Sequence, residues 1–129
     1  MSTWTSDELD ALAAATELRI STRRADGTLR PAVPIWVVRV GDGIYVRSYR
    51  GTGGAWFRHT AAGGSAHIQA GSVTSEVTVT PASATARAEI DQAYRAKYGS
   101  FGRAYIDPMT ADLAAATTLQ LTPERLEGP

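Results

Sequence analysis

Residues 18–49 read LRISTRRADGTLRPAVPIWVVRVGDGIYVRSY, and this stretch decides the fold. Leu18, Ile20 and Thr22 alternate with Arg19, Ser21 and Arg23, the period of two that marks a strand. Arg24 to Thr28 contains Asp26-Gly27, a hairpin turn signal. Residues 30–40 then read as a long second strand. It is apolar on both faces through Val33, Ile35, Trp36, Val37, Val38 and Val40, so both faces are expected to be buried. Pro31 and Pro34 fall inside it. Proline has no N–H to give to a ladder, which predicts an edge, a bulge or a kink near Pro34. Gly41-Asp42-Gly43 turns the chain into a third strand, Ile44 to Tyr49. Ile44, Val46 and Ser48 share one face; Tyr45, Arg47 and Tyr49 share the other.

The flanks add helices at the margins. Upstream, Thr5 and Glu8 have the spacing of a capping box, with Trp4 and Leu9 as the hydrophobic staple around it. That helix runs out near Ala15. Downstream, Arg50 to Gly54 is a glycine-rich loop feeding a helical piece over 55–62, which Gly63-Gly64 ends. Ser65 to Ala70 and Glu76 to Ala82 read as strands four and five. A helix over about 84–98 carries Ile90, Tyr94, Tyr98 and Phe101 at helical spacing, with Gly99 as its C-cap. Asp107-Pro108 reads as an N-cap followed by proline at the first helical position, opening a helix to about Ala116. Thr118 to Thr122 reads as a sixth strand. Six short, mostly sequential strands predict a mainly β fold with flanking helices, either a small barrel or a strongly curled sheet. One domain is expected over residues 1–129.

The charges are sorted along the chain. Residues 19–58 hold eight arginines and two acids, a net of +6, whereas the rest holds five bases and eleven acids, a net of −6. All eight are Arg, whose planar fork suits phosphate and carboxylate oxygens. A sheet that collects them around a groove is expected to seat a phosphorylated cofactor or another anion. Thr22, Arg23, Arg24 and Arg30 bracket the first hairpin, and Arg47, Ser48, Tyr49 and Arg50 end the third strand. Arg58 follows on the next helical piece. Trp36, Tyr49 and Trp56 offer flat surfaces for a ring system. The bland alternative is that these arginines are solvated strand ends paired with acids, contacts that are worth little. Tyr94, Tyr98, Phe101 and Tyr105 read first as core packing of a helix against the barrel, and otherwise as a pocket wall or dimer contact.

Several chemistries are excluded. There is no cysteine, and His59 and His67 alone do not make a metal site. No serine lies in a GxSxG elbow. The N-terminus is acidic with no apolar run, and no stretch approaches the length of a membrane span, so a cytoplasmic location is expected. A net charge of zero and a pI of about 6.7 count against a nucleic-acid partner.

The run from Leu18 to Gly71, which holds the RSYRG and WFR segments that mark the DUF2255 family, resembles the core of the split β-barrel flavin-binding superfamily. That group includes pyridoxamine-phosphate-oxidase-like proteins and deazaflavin-dependent nitroreductases. Within it the chain, over about residues 4–123, most resembles the DUF2255 family. The resemblance implies a six-stranded antiparallel split β-barrel, a homodimer, and a cofactor, FMN or deazaflavin (coenzyme F420), in a groove at the subunit interface. It implies that Thr22, Arg23, Arg24 and Arg30 approach the cofactor's phosphate end. It sets Pro34, Ile35 and Trp36 along the ring, Ser48 and Arg50 at phosphate, and Trp56 and Arg58 beside them. The hairpin glycine of the family pattern is Arg23 here, and the asparagine after the tryptophan is His59. The function implied is hydride transfer between the ring and a small-molecule substrate, with Tyr49 or Tyr98 as catalytic candidates for orienting the substrate and delivering a proton. The alternative is a barrel that has lost flavin and binds, or acts without redox chemistry on, a small anionic molecule.

Overall fold

The segment from Leu18 to Val40 supplies both ends of the sheet. The structure is a computed structural model and describes residues 3–49, 55–60 and 64–124. Its strands are β1 (Leu18–Thr22), β2 (Val33–Ile35), β3 (Val37–Val40), β4 (Gly43–Val46), β5 (Gly64–Ala70), β6 (Val73–Pro81) and β7 (Leu119–Pro123). They form one antiparallel sheet in the order β2-β1-β5-β6-β7-β4-β3. The two edge strands, β2 and β3, are separated in sequence only by Trp36. The sheet therefore curls into a nearly closed barrel with one seam, and the chain crosses that seam at Trp36. This is the expected split barrel.

Seven strands are found where six were expected, because the long strand over 30–40 divides at Trp36. Its first part pairs with β1, with Pro34 opposite Arg19, and its second part pairs with β4. Pro34 thus sits on an edge strand, where a missing N–H costs no ladder bond. The third expected strand also stops at Val46 rather than Tyr49.

The barrel interior is filled by the inward row of each strand, including Leu18, Ile20, Val37, Ile44, Val46, Ile68, Val77, Val79 and Leu121. Each such side chain contributes about 1.5–3 kcal/mol on full burial. Helix α1 (Ser6–Ala14) closes one end. Its capping box forms as expected, with Thr5 Oγ1 accepting from Glu8 N and Glu8 Oε1 from Thr5 N. Trp4 is buried beside Leu9 and donates its indole N–H to Leu121 O (3.0 Å). Helix α2 (Ala55–Thr60) adds Trp56 and Phe57 to the same core.

A second cluster lies outside the barrel, where α3 (Arg87–Tyr98) and α4 (Arg103–Thr110) cover β3. It contains Val38, Ile90, Tyr94, Tyr98, Ile106 and Met109. Val37 and Val38 therefore enter different cores, which is the burial on both faces read from the sequence.

The helical margin departs from expectation in one place. Asp107-Pro108 does not open a helix: α4 begins at Arg103, and Pro108 lies inside it. The break comes earlier, at Gly102, whose φ of 98° and ψ of 161° suit glycine alone. Gly99, the expected C-cap, stays right-handed and passes into a short 3-10 turn. Ile106 and Met109, buried against α3, decide where the helix runs, and α5 (Asp112–Ala115) follows as a separate turn.

Candidate functional site

A cavity of about 480 Å³ opens along the seam. Val33, Pro34 and Ile35 of β2 form one wall, and Trp36, at the crossing point, joins them. Arg47, Ser48 and Tyr49, just beyond β4, lie opposite, while Trp56 of α2 and Tyr105 and Met109 of α4 complete the lining. The volume lies within the range of small-molecule sites, which are apolar with few polar groups. Tyr49 and Tyr105 stand at its rim, 59% and 57% exposed.

Arg47 is the most deeply held of the lining residues. Its Nη1 donates to Asp91 Oδ1 (2.5 Å) and Met109 O (2.9 Å), and its Nε to Thr118 Oγ1 (2.8 Å). The guanidinium also lies 5.3 Å from the Tyr94 ring centroid. Its Nη2 is buried with no hydrogen-bond partner among the described residues, as is the Tyr94 hydroxyl. Burial pushes the Tyr94 phenol well above its ordinary pKa. Ser48 is fixed through its backbone, its N–H donating to Thr117 Oγ1 (2.9 Å).

The cavity thus brings together seven of the expected site residues: Pro34, Ile35, Trp36, Arg47, Ser48, Tyr49 and Trp56. The other described arginines of the expected site do not line it. Arg23 pairs with Glu76 and donates to Gly27 O (3.0 Å), and Arg24 donates to Leu29 O (3.0 Å). Both fold back over their own hairpin. Arg58 is exposed on α2, and Arg50 lies outside the described residues.

Thr22 and Arg30 join a second group instead. Arg30 Nη1 donates to Arg23 O (2.5 Å) and Thr22 Oγ1 (3.4 Å), and Thr22 Oγ1 lies 3.5 Å from His59 Nδ1. His59 is three residues beyond Trp56 on α2, one helical turn from the cavity lining. Its pKa is held below the ordinary histidine value by partial desolvation, then by the positive charges of Arg30 and Arg58. No ion pair to Arg30 or Arg58 occurs among the described residues.

Tyr98 does not face the cavity's solvent side. It is 1% exposed, and its hydroxyl donates to Thr16 O (2.8 Å) while accepting from Val37 N (3.1 Å). Burial pushes its pKa up to about 12. Of the aromatic run, Tyr94 and Tyr98 are core and Tyr105 is a pocket wall. Val33, Met109 and Asp91 were not read from the sequence as site residues. Met109 carried a signal in its place on an apolar helix face, whereas nothing in the spacing of Asp91 marked it as the partner of Arg47. No group of three metal-ligating side chains occurs among the described residues.

A family model described as "Uncharacterized protein conserved in bacteria (DUF2255)" matches residues 8–121. No curated protein matches. Several solved structures are similar. An FAD- and heme-binding protein from Mycobacterium smegmatis is 23% identical, with a TM-score of 0.53 over 94% of this chain and 66% of that one. An FAD-binding protein from Mesorhizobium loti is 14% identical, with a TM-score of 0.58 over 95% and 92% of the two chains. A conserved hypothetical protein from Mycobacterium tuberculosis is 10% identical, with a TM-score of 0.60 over 96% and 83%. The chain spans about two thirds of the length of the M. smegmatis protein. At these identities the likeness is one of fold.

Proposed function

This chain belongs to the DUF2255 family, whose model spans most of it, and from that premise we propose that it holds a flavin-type cofactor, FMN or deazaflavin, along the barrel seam. We read it as an oxidoreductase acting on a small molecule. The observation that carries the proposal is the seam cavity, with indoles and phenols on its walls and one strand edge, β2, without a strand partner. The donor set fits such a group. Trp36 and Trp56 provide flat apolar surface, Arg47 has a buried N–H without an acceptor among the described residues, and the cations near Thr22 suit a phosphate tail.

The cofactor would supply hydride transfer; this chain supplies binding, orientation and electrostatics. Trp36, Trp56, Pro34 and Ile35 confine the ring and exclude water from one side of it. Ser48 and Arg47 set the polar end of the cavity. Thr22, Arg30 and Arg58, with Arg23, Arg24 and Arg50 as further cations of the same segment, favour the anionic tail. Tyr49, exposed at the rim, is the tyrosine placed to meet a substrate and hand it a proton. Tyr98 is committed to backbone hydrogen bonds, so its part is structural.

With this reading go a homodimer and a cytoplasmic location. The exposed rim, with Val33 38%, Tyr49 59% and Tyr105 57% exposed, supports a second copy covering the cavity mouth. No described helix is long and apolar enough to cross a membrane. The same cations would serve a barrel that binds an anionic molecule without flavin.

The test is an absorption spectrum of the purified protein with mass spectrometry of anything released on denaturation, followed by thermal denaturation with FMN or F420. Binding is expected to add about 2.7 kcal/mol of stability at a hundredfold excess over Kd. A colourless protein that neither cofactor stabilises would refute the flavin reading.

A further inference from the structure

The group around His59 lies beyond the ring cavity and has a feature of its own. A threonine hydroxyl has one proton and two acceptor positions. Arg30 Nη1 already donates to Thr22 Oγ1 at 3.4 Å. When His59 is neutral with its proton on Nε2, Nδ1 can accept the Thr22 O–H across 3.5 Å. When His59 is protonated, both ring nitrogens become donors. The Thr22–His59 bond must then reverse, and Thr22 Oγ1 accepts from both cations. Its own proton is released and needs a new acceptor.

We propose that His59 is a proton switch for oxyanion binding at the Thr22–Arg30–Arg58 cluster: protonation adds a third positive charge and frees the Thr22 hydroxyl to donate to the anion, so that binding is coupled to proton uptake. The charges around it support the coupling. α2 packs against β1 and β5. On α2 itself the neighbouring charge is Arg58, and beyond β1 it is Arg30, both of which add to desolvation in disfavouring the charged imidazole. β1 and its hairpin also carry Arg19, Arg23, Arg24 and one acid, Asp26, whose Oδ1 accepts from Thr28 N (3.0 Å) and Thr28 Oγ1 (2.7 Å). On β5 the titratable group is His67, 3.1 Å from Glu76 on β6, and the Glu76 carboxylate also takes Arg23. No carboxylate of these elements forms an ion pair with His59 among the described residues. The natural ligand is thus a tetrahedral or carboxylate oxyanion; that it is a cofactor phosphate rests on the function proposed above.

The direct probe is inorganic sulfate, which does not titrate in this range. The His59 ring is followed by NMR against pH in sulfate and in chloride of equal ionic strength, with His67→Gln used to assign the two histidines. Sulfate is expected to raise the His59 pKa by roughly one unit, and reciprocally to bind about tenfold tighter at pH 5 than at pH 8. In His59→Asn sulfate affinity should be flat across that range. No sulfate-dependent shift, or the same slope in His59→Asn, overturns the switch. A second arm uses FMN. If FMN binds His59→Asn and the unaltered protein equally at every pH, the switch fails while the flavin reading stands. If neither FMN nor F420 binds either protein at any pH but sulfate still shifts His59, the flavin reading fails while the switch stands.

Discussion

The indole of Trp36 lies flat on the phenol ring of Tyr98, with centroids 3.9 Å apart and planes 1° from parallel. Trp36 is the residue between the two edge strands, and Tyr98 is the last residue of α3. Their stack joins the seam of the barrel to the helical layer. Trp36 also lines the cavity, so the same contact fixes the pocket wall.

Trp36→Ala should therefore lower stability and ligand affinity together. Aromatic-to-alanine changes cost about 3–5 kcal/mol in cores, and the half-buried position of Trp36 puts the expected loss near the lower end. Trp36→Phe keeps a ring for Tyr98 and should recover at least half of that stability. Urea denaturation of both variants checks the first claim, and FMN titration the second. Equal losses in the two variants would show that the stack is not the cause.

Asp91 is predicted to matter more than its surroundings in sequence suggest. It faces Arg47, whose side chain is fully buried. Removing one partner of a buried pair strands the other charge, which costs about 3–5 kcal/mol, whereas replacing both with apolar residues is often neutral. Asp91→Ala is expected in that range by urea denaturation, and the double variant Arg47→Met, Asp91→Leu should recover most of the loss. Single and double variants of equal stability would mean that the pair contributes nothing specific.

How far the sequence could be read depends on which contacts are local. The alternation from Leu18 to Thr22, the Asp26-Gly27 turn and the capping box at Thr5 are settled within a few residues, and each is found. Pro34 correctly marked an edge, but the break at Trp36 follows from barrel closure, which no local pattern contains. The helix expected from Asp107-Pro108 failed because burial of Ile106 and Met109 against α3 outweighed the capping signal. The arginine count located the basic segment but not its geometry. Arg39 reaches Asp10 (3.0 Å), Arg23 reaches Glu76, and Arg47 is buried because α3 and α4 cover its face of the sheet. Those partners lie far away in the chain.

The free edge of β3 is protected at one residue. Val37 N–H donates to the Tyr98 hydroxyl (3.1 Å), and Val37 O accepts from Lys97 Nζ (2.7 Å). Tyr98→Phe leaves the Val37 N–H buried without a partner, a loss of about 1–3 kcal/mol. Hydrogen exchange should show the Val37 amide losing protection by more than the global stability change accounts for. Protection that falls only in step with global stability would assign Tyr98 no role at the edge.

Lys97 and Tyr98 also predict the shape of the pH dependence. Burial lowers the Lys97 pKa from its ordinary 10.5 to about 8, although Nζ bonds Val37 O (2.7 Å) and Leu12 O (3.3 Å). Between those values the unfolded chain binds more protons than the folded one, so stability rises with pH. Tyr98 acts the other way, because its pKa moves from 10.0 up to about 12 and the folded state keeps a proton that the unfolded state has lost. Stability should therefore climb from pH 8, peak near pH 10 and fall beyond it. The climb should be modest, since the ammonium is only half-buried and solvent screens it. In Lys97→Met the climb should vanish and the fall remain, as read from urea midpoints between pH 7 and pH 11. A midpoint that drops steadily from pH 7 to pH 10 in the unaltered protein would mean that Lys97 is solvated and does not hold the seam.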